Sequence, residues 1–527
     1  MRWLGKVGGA INSISAPGRD PARAATPALE ADRLERVGGD LDAAEDMFRQ
    51  AMALDPTAAG IVARYGLFLL RSRHDVSNAR IQFRRAAEIA PKDARLLATC
   101  ARVLDTIPGA VDDADDYYRL AIAADPGQAV ILGGYARFLV RCRRDLDLAE
   151  TYFKRAIAAD RRNADNMGHY ADFLRLHRRD IEGASAWYRA AIEIAPNDAD
   201  HLGDYAVLLE LDEHDFDGAE TFYRRAVEAN PNSTHHLGNY ARYLKNVRRD
   251  FDGAEAYYKR SLEADPTSRD SLGDYAVFLH RNRGDADASE AMHARAVAAH
   301  PTDALILTNY GVFLHRVRNN AAEAEKYYQR AIEADPRYPV ALSNYGVIQH
   351  IYRHDLAAAQ AYYERSIEAD PTYSNGHSNY AEILDTVLHD YEMAEAHYKL
   401  ALKFNPGHAN SLANYAGFLL ARGRVEEGLQ IVDRARAAGL EHPLNLFVGF
   451  YEYAHNPDPA IRRERLAGLK QLLESGQRSP DSQFDRHVER ARQDGHPEPE
   501  FLAELARVIT GAADISQLDR FACWKDA

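Results

Sequence analysis

The sequence predicts an all-α chain: a right-handed superhelical solenoid of antiparallel helix pairs, ended by C-terminal capping helices. Three observations predict this: prolines on a 35-residue spacing, columns of tiny residues in step with them, and apolar positions at helical intervals in between.

The prolines are Pro56, Pro91, Pro126, Pro196, Pro231, Pro266, Pro301, Pro336, Pro371 and Pro406, with Arg161 in the one missing slot. A column of minimal bulk runs Gly66, Ala101, Ala136, Ala171, Ala206, Ala241, Ala276, Gly311, Gly346, Ala381 and Ala416. Two more columns, from Ala44 to Ala394 and from Ala51 to Ala401, hold only alanine or serine. Small side chains on helical faces let backbones approach closely, so each unit has to press two helices against each other and against their neighbours.

Within the unit 232–266 the first apolar face is Leu237, Tyr240, Ala241 and Leu244, and the second is Phe251, Ala254, Tyr257, Tyr258, Ser261 and Leu262. Between the two faces an Arg-x-Asp pattern recurs: Arg73/Asp75, Arg143/Asp145, Arg178/Asp180, Arg248/Asp250, Arg283/Asp285 and Arg353/Asp355. It sets a cation at the negative end of one helix and an N-cap acceptor at the start of the next. The proline follows the second helix, where its missing N–H does least harm and its restricted backbone stops the helix. By the same register, Asp215-Phe216-Asp217-Gly218 and its copy Asp250-Phe251-Asp252-Gly253 are helix starts rather than calcium loops.

These columns resemble the tetratricopeptide repeat family, whose unit is a helix hairpin of about 34 residues with small residues at the crossings, an aromatic on the second helix and a closing proline. That aromatic is Phe83, Tyr118, Phe153, Tyr188, Tyr223, Tyr258, Tyr328, Tyr363 and Tyr398, with His293 as the exception. The resemblance covers residues 25–440 as about twelve repeats. Two departures stand out. Each unit has one extra residue, best placed in the inter-helix turn, and the family's Gly-x-x-Tyr is usually Ala-x-x-Leu preceded by Tyr. The segment 1–24 is expected to be a flexible or capping N-terminal piece, with amphipathic docking through Trp3, Leu4, Val7, Ile11 and Ile14 as the alternative. Residues 441–527 are expected to be a helical cap or small helical module, with Leu466, Leu469, Leu472, Leu502, Leu505, Phe521 and Trp524 covering the open end of the array.

Composition narrows the function. Of 527 residues, 46% are hydrophobic and 27% charged, and no apolar run approaches the roughly 18 residues of a membrane span. A net charge of -14 argues against generic nucleic-acid binding, which needs local basic excess. Three scattered cysteines, Cys100, Cys142 and Cys523, indicate neither a disulfide framework nor a thiolate metal site, and a cytoplasmic location is expected. No phosphate-binding loop, dinucleotide glycine motif, zinc spacing or nucleophile elbow occurs, so neither enzymatic activity, nor a cofactor, nor a metal is expected. His280, His315 and His350, one repeat apart, read as a solvated stripe rather than ligands of one ion.

The resemblance implies a scaffold whose first helices line a concave groove for an extended peptide of a protein partner. The column preceding each repeat tyrosine, Asp204, Asn239, Asp274, Asn309, Asn344, Asn379 and Asn414, offers amides and carboxylates at every repeat that would hold a peptide backbone. Arg242, Arg281 and Arg316 are expected on the same face, where they would pair with acidic partner residues. The chaperone-tail clamps of this family need a lysine one residue before that column, and here the position holds glycine, alanine, serine or threonine. The rival readings are an RNA-binding array similar to pentatricopeptide proteins, or a regulatory repeat protein with a C-terminal effector module.

Overall fold

In the computed structural model the described residues are 21–107, 109–440, 443–479 and 483–527, and they contain helices and turns but no strand. The amphipathic reading of Trp3 to Ile14 lies outside them. The chain divides into two compact units at Ala264/Asp265. Among its described residues the first unit holds seven helix pairs, beginning with Pro21–Arg36/Leu41–Leu54 and including Ala129–Phe138/Leu146–Ala159, Ala164–Phe173/Ile181–Ile194, Ala199–Leu208/Phe216–Ala229 and Thr234–Tyr243/Phe251–Ala264. The second holds Arg269–Arg283/Ala286–Ala299, Ala304–Arg316/Ala321–Ala334, Pro339–Ile351/Leu356–Ala369, Ser374–Ile383/Tyr391–Phe404 and Ala409–Ala421/Val425–Ala437, followed by a C-terminal group of helices. Within each unit, successive first helices pack side by side and each packs on its own second helix, which is a helical-repeat solenoid.

The small columns carry this packing. Ala136, Ala171, Ala206 and Ala241 are fully buried at the crossings, and so are Ala149, Ala184, Ala219 and Ala254 on the second helices. The repeat tyrosines Tyr135, Tyr170, Tyr205 and Tyr240 are buried beside them as expected. Offset ring contacts such as Phe153–Tyr170 at 5.7 Å and Tyr223–Tyr240 at 6.2 Å fill the space between pairs.

The extra residue of each unit is absorbed where the first helix ends. In five pairs the last turn widens into a π-helical turn: Leu139–Arg143, Leu174–Arg178, Leu209–Glu213, Leu244–Arg248 and Leu384–Leu388. A single left-handed residue then closes the helix, with φ near 57° at Arg144, Arg179, His214, Arg249 and His389. The following aspartate amide returns to the leucine carbonyl six residues back, as in Asp180 N to Leu174 O at 3.1 Å. The same aspartates cap the second helices: Asp145, Asp180, Asp215 and Asp250 accept from backbone N–H groups at 2.9–3.1 Å.

The arginines of the Arg-x-Asp pattern do more than face a helix terminus. Arg73, Arg143, Arg178, Arg248 and Arg353 reach back to the second helix of the preceding pair: Arg178 binds Glu150 at 2.8 Å and Asp147 at 2.6 Å, and Arg143 holds Asp112 and Asp115 at 2.8 Å each. Arg318, a residue the pattern did not include, binds Glu290 at 2.7 Å and Asp287 at 2.5 Å. The same glutamate accepts the repeat tyrosine hydroxyl, as in Tyr170 to Glu150 at 3.4 Å and Tyr415 to Glu395 at 3.3 Å. One carboxylate therefore joins a tyrosine and an arginine of the next repeat, and the ladder fixes the stacking register.

The C-terminal group is more than a lid. Leu466, Leu469, Leu502, Leu505 and Trp524 close a core of their own with Leu446, Phe450, Phe484 and Phe501, built from Leu444–His455, Pro459–Glu474, Asp485–Gln493 and Pro499–Ile509. Val448 joins the core of the last repeats, with Leu444 and Tyr451 packed against it.

Candidate functional site

The expected site residues fall on the row of first helices, in two separate stretches. In the first unit Asp204 is half-buried, and burial, with Asp172 and Asp200 adding negative charge, pushes it up to about 7. Asn239 is buried, accepts a hydrogen bond from Arg242 at 2.8 Å, and has its amide nitrogen 3.1 Å from His235 Nε2. Arg242 is exposed, and the bond to Asn239 uses one of its five N–H donors.

In the second unit Asp274 is half-buried and Arg281 exposed on the same helix. Asn309 is exposed, whereas Asn344, Asn379 and Asn414 are half-buried. Asn344 donates to its own helix at Val340 O (2.9 Å), Asn379 donates to Ser343 Oγ of the preceding pair (3.0 Å), and Asn414 donates to Glu382 at 3.4 Å. One bond each leaves these amides with further donor and acceptor capacity. Arg316 is exposed and has no hydrogen-bond or ion-pair partner among the described residues. The histidine column is not a solvated stripe. His280, His315 and His350 are half-buried; His280 meets the Phe313 ring edge-on at 6.1 Å, and His315 Nε2 lies 3.2 Å from the Tyr352 hydroxyl.

The structure also brings together groups that no column announces. Asp385 is almost fully buried and binds Arg422 at 2.7 Å and Arg486 at 2.8 Å. Arg486 belongs to Asp485–Gln493, so the C-terminal group reaches onto the first helices of the last two repeats. Burial, reinforced by Asp385 and partly offset by Arg486, pushes Glu382 up to about 6. Asn414 therefore serves this buried carboxyl and is tied into the joint between repeats and C-terminal group. Position 382 is valine and 385 histidine in the preceding repeat (Val347, His350), so a column-by-column comparison carried no sign of this joint.

In the first unit a second set lies one turn from the ladder. His201 and His236 insert their rings toward the glycines of the preceding pair and face Asp165 at 3.6 Å and Asp200 at 3.2 Å. Burial pulls His201 down, but the facing Asp165 carboxylate and the charges of Asp198 and Asp204 raise it above its ordinary value, and Asp165 is held low chiefly by His201. The His201 contribution to stability is thus complete below pH about 6.5, its unfolded value, and is lost as pH rises through the raised folded value. That of Asp165 is present above its unfolded value near 3.9 and lost as pH falls through the depressed folded one. Wild type should exceed His201→Gln in stability by about 0.5–1 kcal/mol at pH 5.5, with the gap shrinking at pH 8.5. Paired thermal melts at the two pH values check this, and a gap that widens at pH 8.5 contradicts it.

Paired antiparallel helices on a 35-residue period define a helical-repeat interaction scaffold. The sequence profile described as tetratricopeptide repeat matches residues 143–199, 206–269 and 278–339, so the repeats of this stretch are of the tetratricopeptide kind. Similar solved structures include one described as the functional characterization of Pseudomonas aeruginosa PilF: 23% identity, covering 42% of this chain and 98% of that one, with TM-score 0.33. Another is YrrB, described as a TPR protein with an unusual peptide-binding site: 20% identity, covering 36% of this chain and 95% of that one, with TM-score 0.27. No curated protein matches the sequence. Among the described residues no helix is long and apolar enough to cross a membrane.

Proposed function

We propose that this protein is a non-catalytic, cytoplasmic adaptor that holds an extended segment of a partner protein along its first helices. The observation that carries the reading is the column of amides and carboxylates one repeat apart on that face, with Asn309 exposed and Asn344 half-buried in the second unit. Amides at a regular interval offer both a donor and an acceptor to a peptide backbone, so affinity comes with little demand on side-chain sequence. Arg316, exposed on the helix that carries Asn309, adds a preference for an acidic residue nearby. Asn379 and Asn414 stand closer to the joint with the C-terminal group, which narrows the accessible stretch to the eighth to tenth pairs.

The test is selection from a displayed library of 15-residue peptides, with the affinity of the best binder then measured on variants of the full chain. Asn309→Ala with Asn344→Ala should weaken it at least 10-fold, about 1.4 kcal/mol, with helicity unchanged. Asn414→Ala should leave affinity close to wild type while lowering the melting temperature. Selection of no peptide, or full affinity in the folded double variant, overturns the reading.

A further inference from the structure

Asp165, Asp198 and His201 meet where the fifth helix pair of the first unit joins the sixth. Asp165 lies in the first turn of Ala164–Phe173. Asp198 caps Ala199–Leu208, its Oδ1 accepting the backbone N–H groups of Asp200 and His201 at 3.1 Å each, which leaves Oδ2 outside the cap. His201, one turn further in, is only 6% exposed, and its Nε2 has no hydrogen-bond partner among the described residues. Asp165 Oδ1 stands 3.6 Å from that nitrogen, beyond hydrogen-bond length. The ring is held in place because residue 168 is glycine: a Cβ there would fall 2.6 Å from Nδ1. A buried, orphaned imidazole nitrogen is thus directed across the junction at a carboxylate.

One donor atom from each of the three residues lies within 4.8 Å of the others. Two ligands each about 2.1 Å from one ion stand roughly 3 to 3.6 Å apart, so the His201–Asp165 separation already suits a shared cation. The Asp165 and Asp198 side chains are 78% and 38% exposed, free to turn and bring the third oxygen in. The next junction supplies a natural contrast. There Asp200 and His236 pair at 3.2 Å, but the cap is Ser233, so only two donors converge.

We propose that Asp165, Asp198 and His201 bind a borderline divalent cation of the Zn2+ class, which fastens the fifth helix pair to the sixth. One imidazole and two carboxylates with open positions for water suit such an ion, whereas Ca2+ and Mg2+ take all-oxygen shells. Asp204 follows His201 by one turn on the same helix, so the ion stiffens the part of the first-helix face where the amide and carboxylate column begins. The proposal is independent of any peptide.

The full chain, stripped with chelator and desalted, is titrated with Co2+ by visible absorption and with Zn2+ by calorimetry. One saturable site is expected, without the thiolate charge-transfer band that Cys100, Cys142 or Cys523 would produce. Affinity should fall at least about 10-fold in His201→Gln and in Asp198→Ser, a scale at which even an outer-shell partner matters, and should hold in His236→Gln. Should His201→Gln fold poorly, Asp198→Ser decides, since the neighbouring repeat already carries serine at that cap. No saturable binding, binding that survives Asp198→Ser, or a thiolate band overturns the assignment and leaves Asp165–His201 an ion pair only.

Discussion

Asp385→Ala is expected to destabilise the second unit by about 3 kcal/mol and to loosen the C-terminal group before the repeats. The carboxylate is 2% exposed and joins two guanidinium groups, Arg422 from the last repeat and Arg486 from Asp485–Gln493. Removing one partner of a buried ionic cluster leaves charges without compensation, at a cost of about 3–5 kcal/mol. The lower end applies because the Arg422 and Arg486 side chains keep 23% and 37% of their exposure and regain some hydration. Val448 and the C-terminal core remain in both variant and wild type, so the helices persist while their attachment weakens. Hydrogen exchange should therefore quicken in Asp485–Gln493 and Leu444–His455, with Ala304–Arg316 unchanged. Arg486→Met, which leaves Asp385 paired with Arg422, should have a smaller effect in the same segments. Unaltered exchange in Asp485–Gln493 of the alanine variant would show that apolar packing alone makes the joint.

That joint marks where sequence reading stops. Positions such as Ala206, Tyr205 and Asp180 were legible because a solenoid asks the same of each repeat, so a local requirement is written many times in one column. The caps follow from single-helix physics and needed no tertiary knowledge. Arg178 was visible as a periodic cation, but its partners Asp147 and Glu150 stand 31 and 28 residues earlier, a register that exists only after pairs stack. The column of Gly133, Gly168 and Gly203 was read for the lysine it lacks. In the folded chain each of these glycines makes room for Asn166, His201 or His236 of the next repeat. The Asp385–Arg486 contact was out of reach, since it joins a periodic segment to an aperiodic one and neither side repeats. Of the candidate site, the register alone sets the column from Asp204 to Asn414 on first helices. The local hydrogen bonds of Asn239, Asn344, Asn379 and Asn414 were not foreseeable, because each depends on a side chain or carbonyl chosen by packing.

Tyr328→Ala should be among the most damaging single substitutions in the array, costing about 3–5 kcal/mol, whereas Tyr328→Phe should be neutral or slightly stabilising. The ring is fully buried among Tyr310, Phe313, Leu314, Tyr345 and Ile348, and it lies so close to Gly311 that a Cβ there would fall 2.6 Å from Cε1. Truncation opens a cavity lined by large side chains anchored on two different helices, Ala304–Arg316 and Pro339–Ile351, which cannot collapse together to fill it. The hydroxyl contributes differently. It is buried without a hydrogen-bond partner among the described residues, so its removal ends a desolvation cost while keeping the ring. Because stability in a stacked array is a sum of repeat and nearest-neighbour terms, the alanine damage should stay local. Exchange should rise across Ala304–Ile351 and remain at wild-type rates from Pro21 to Ala124. If alanine and phenylalanine variants melt together, the aromatic column is not what holds successive pairs in register. If exchange rises throughout the chain, the repeats unfold as one cooperative block and nearest-neighbour additivity fails for this protein.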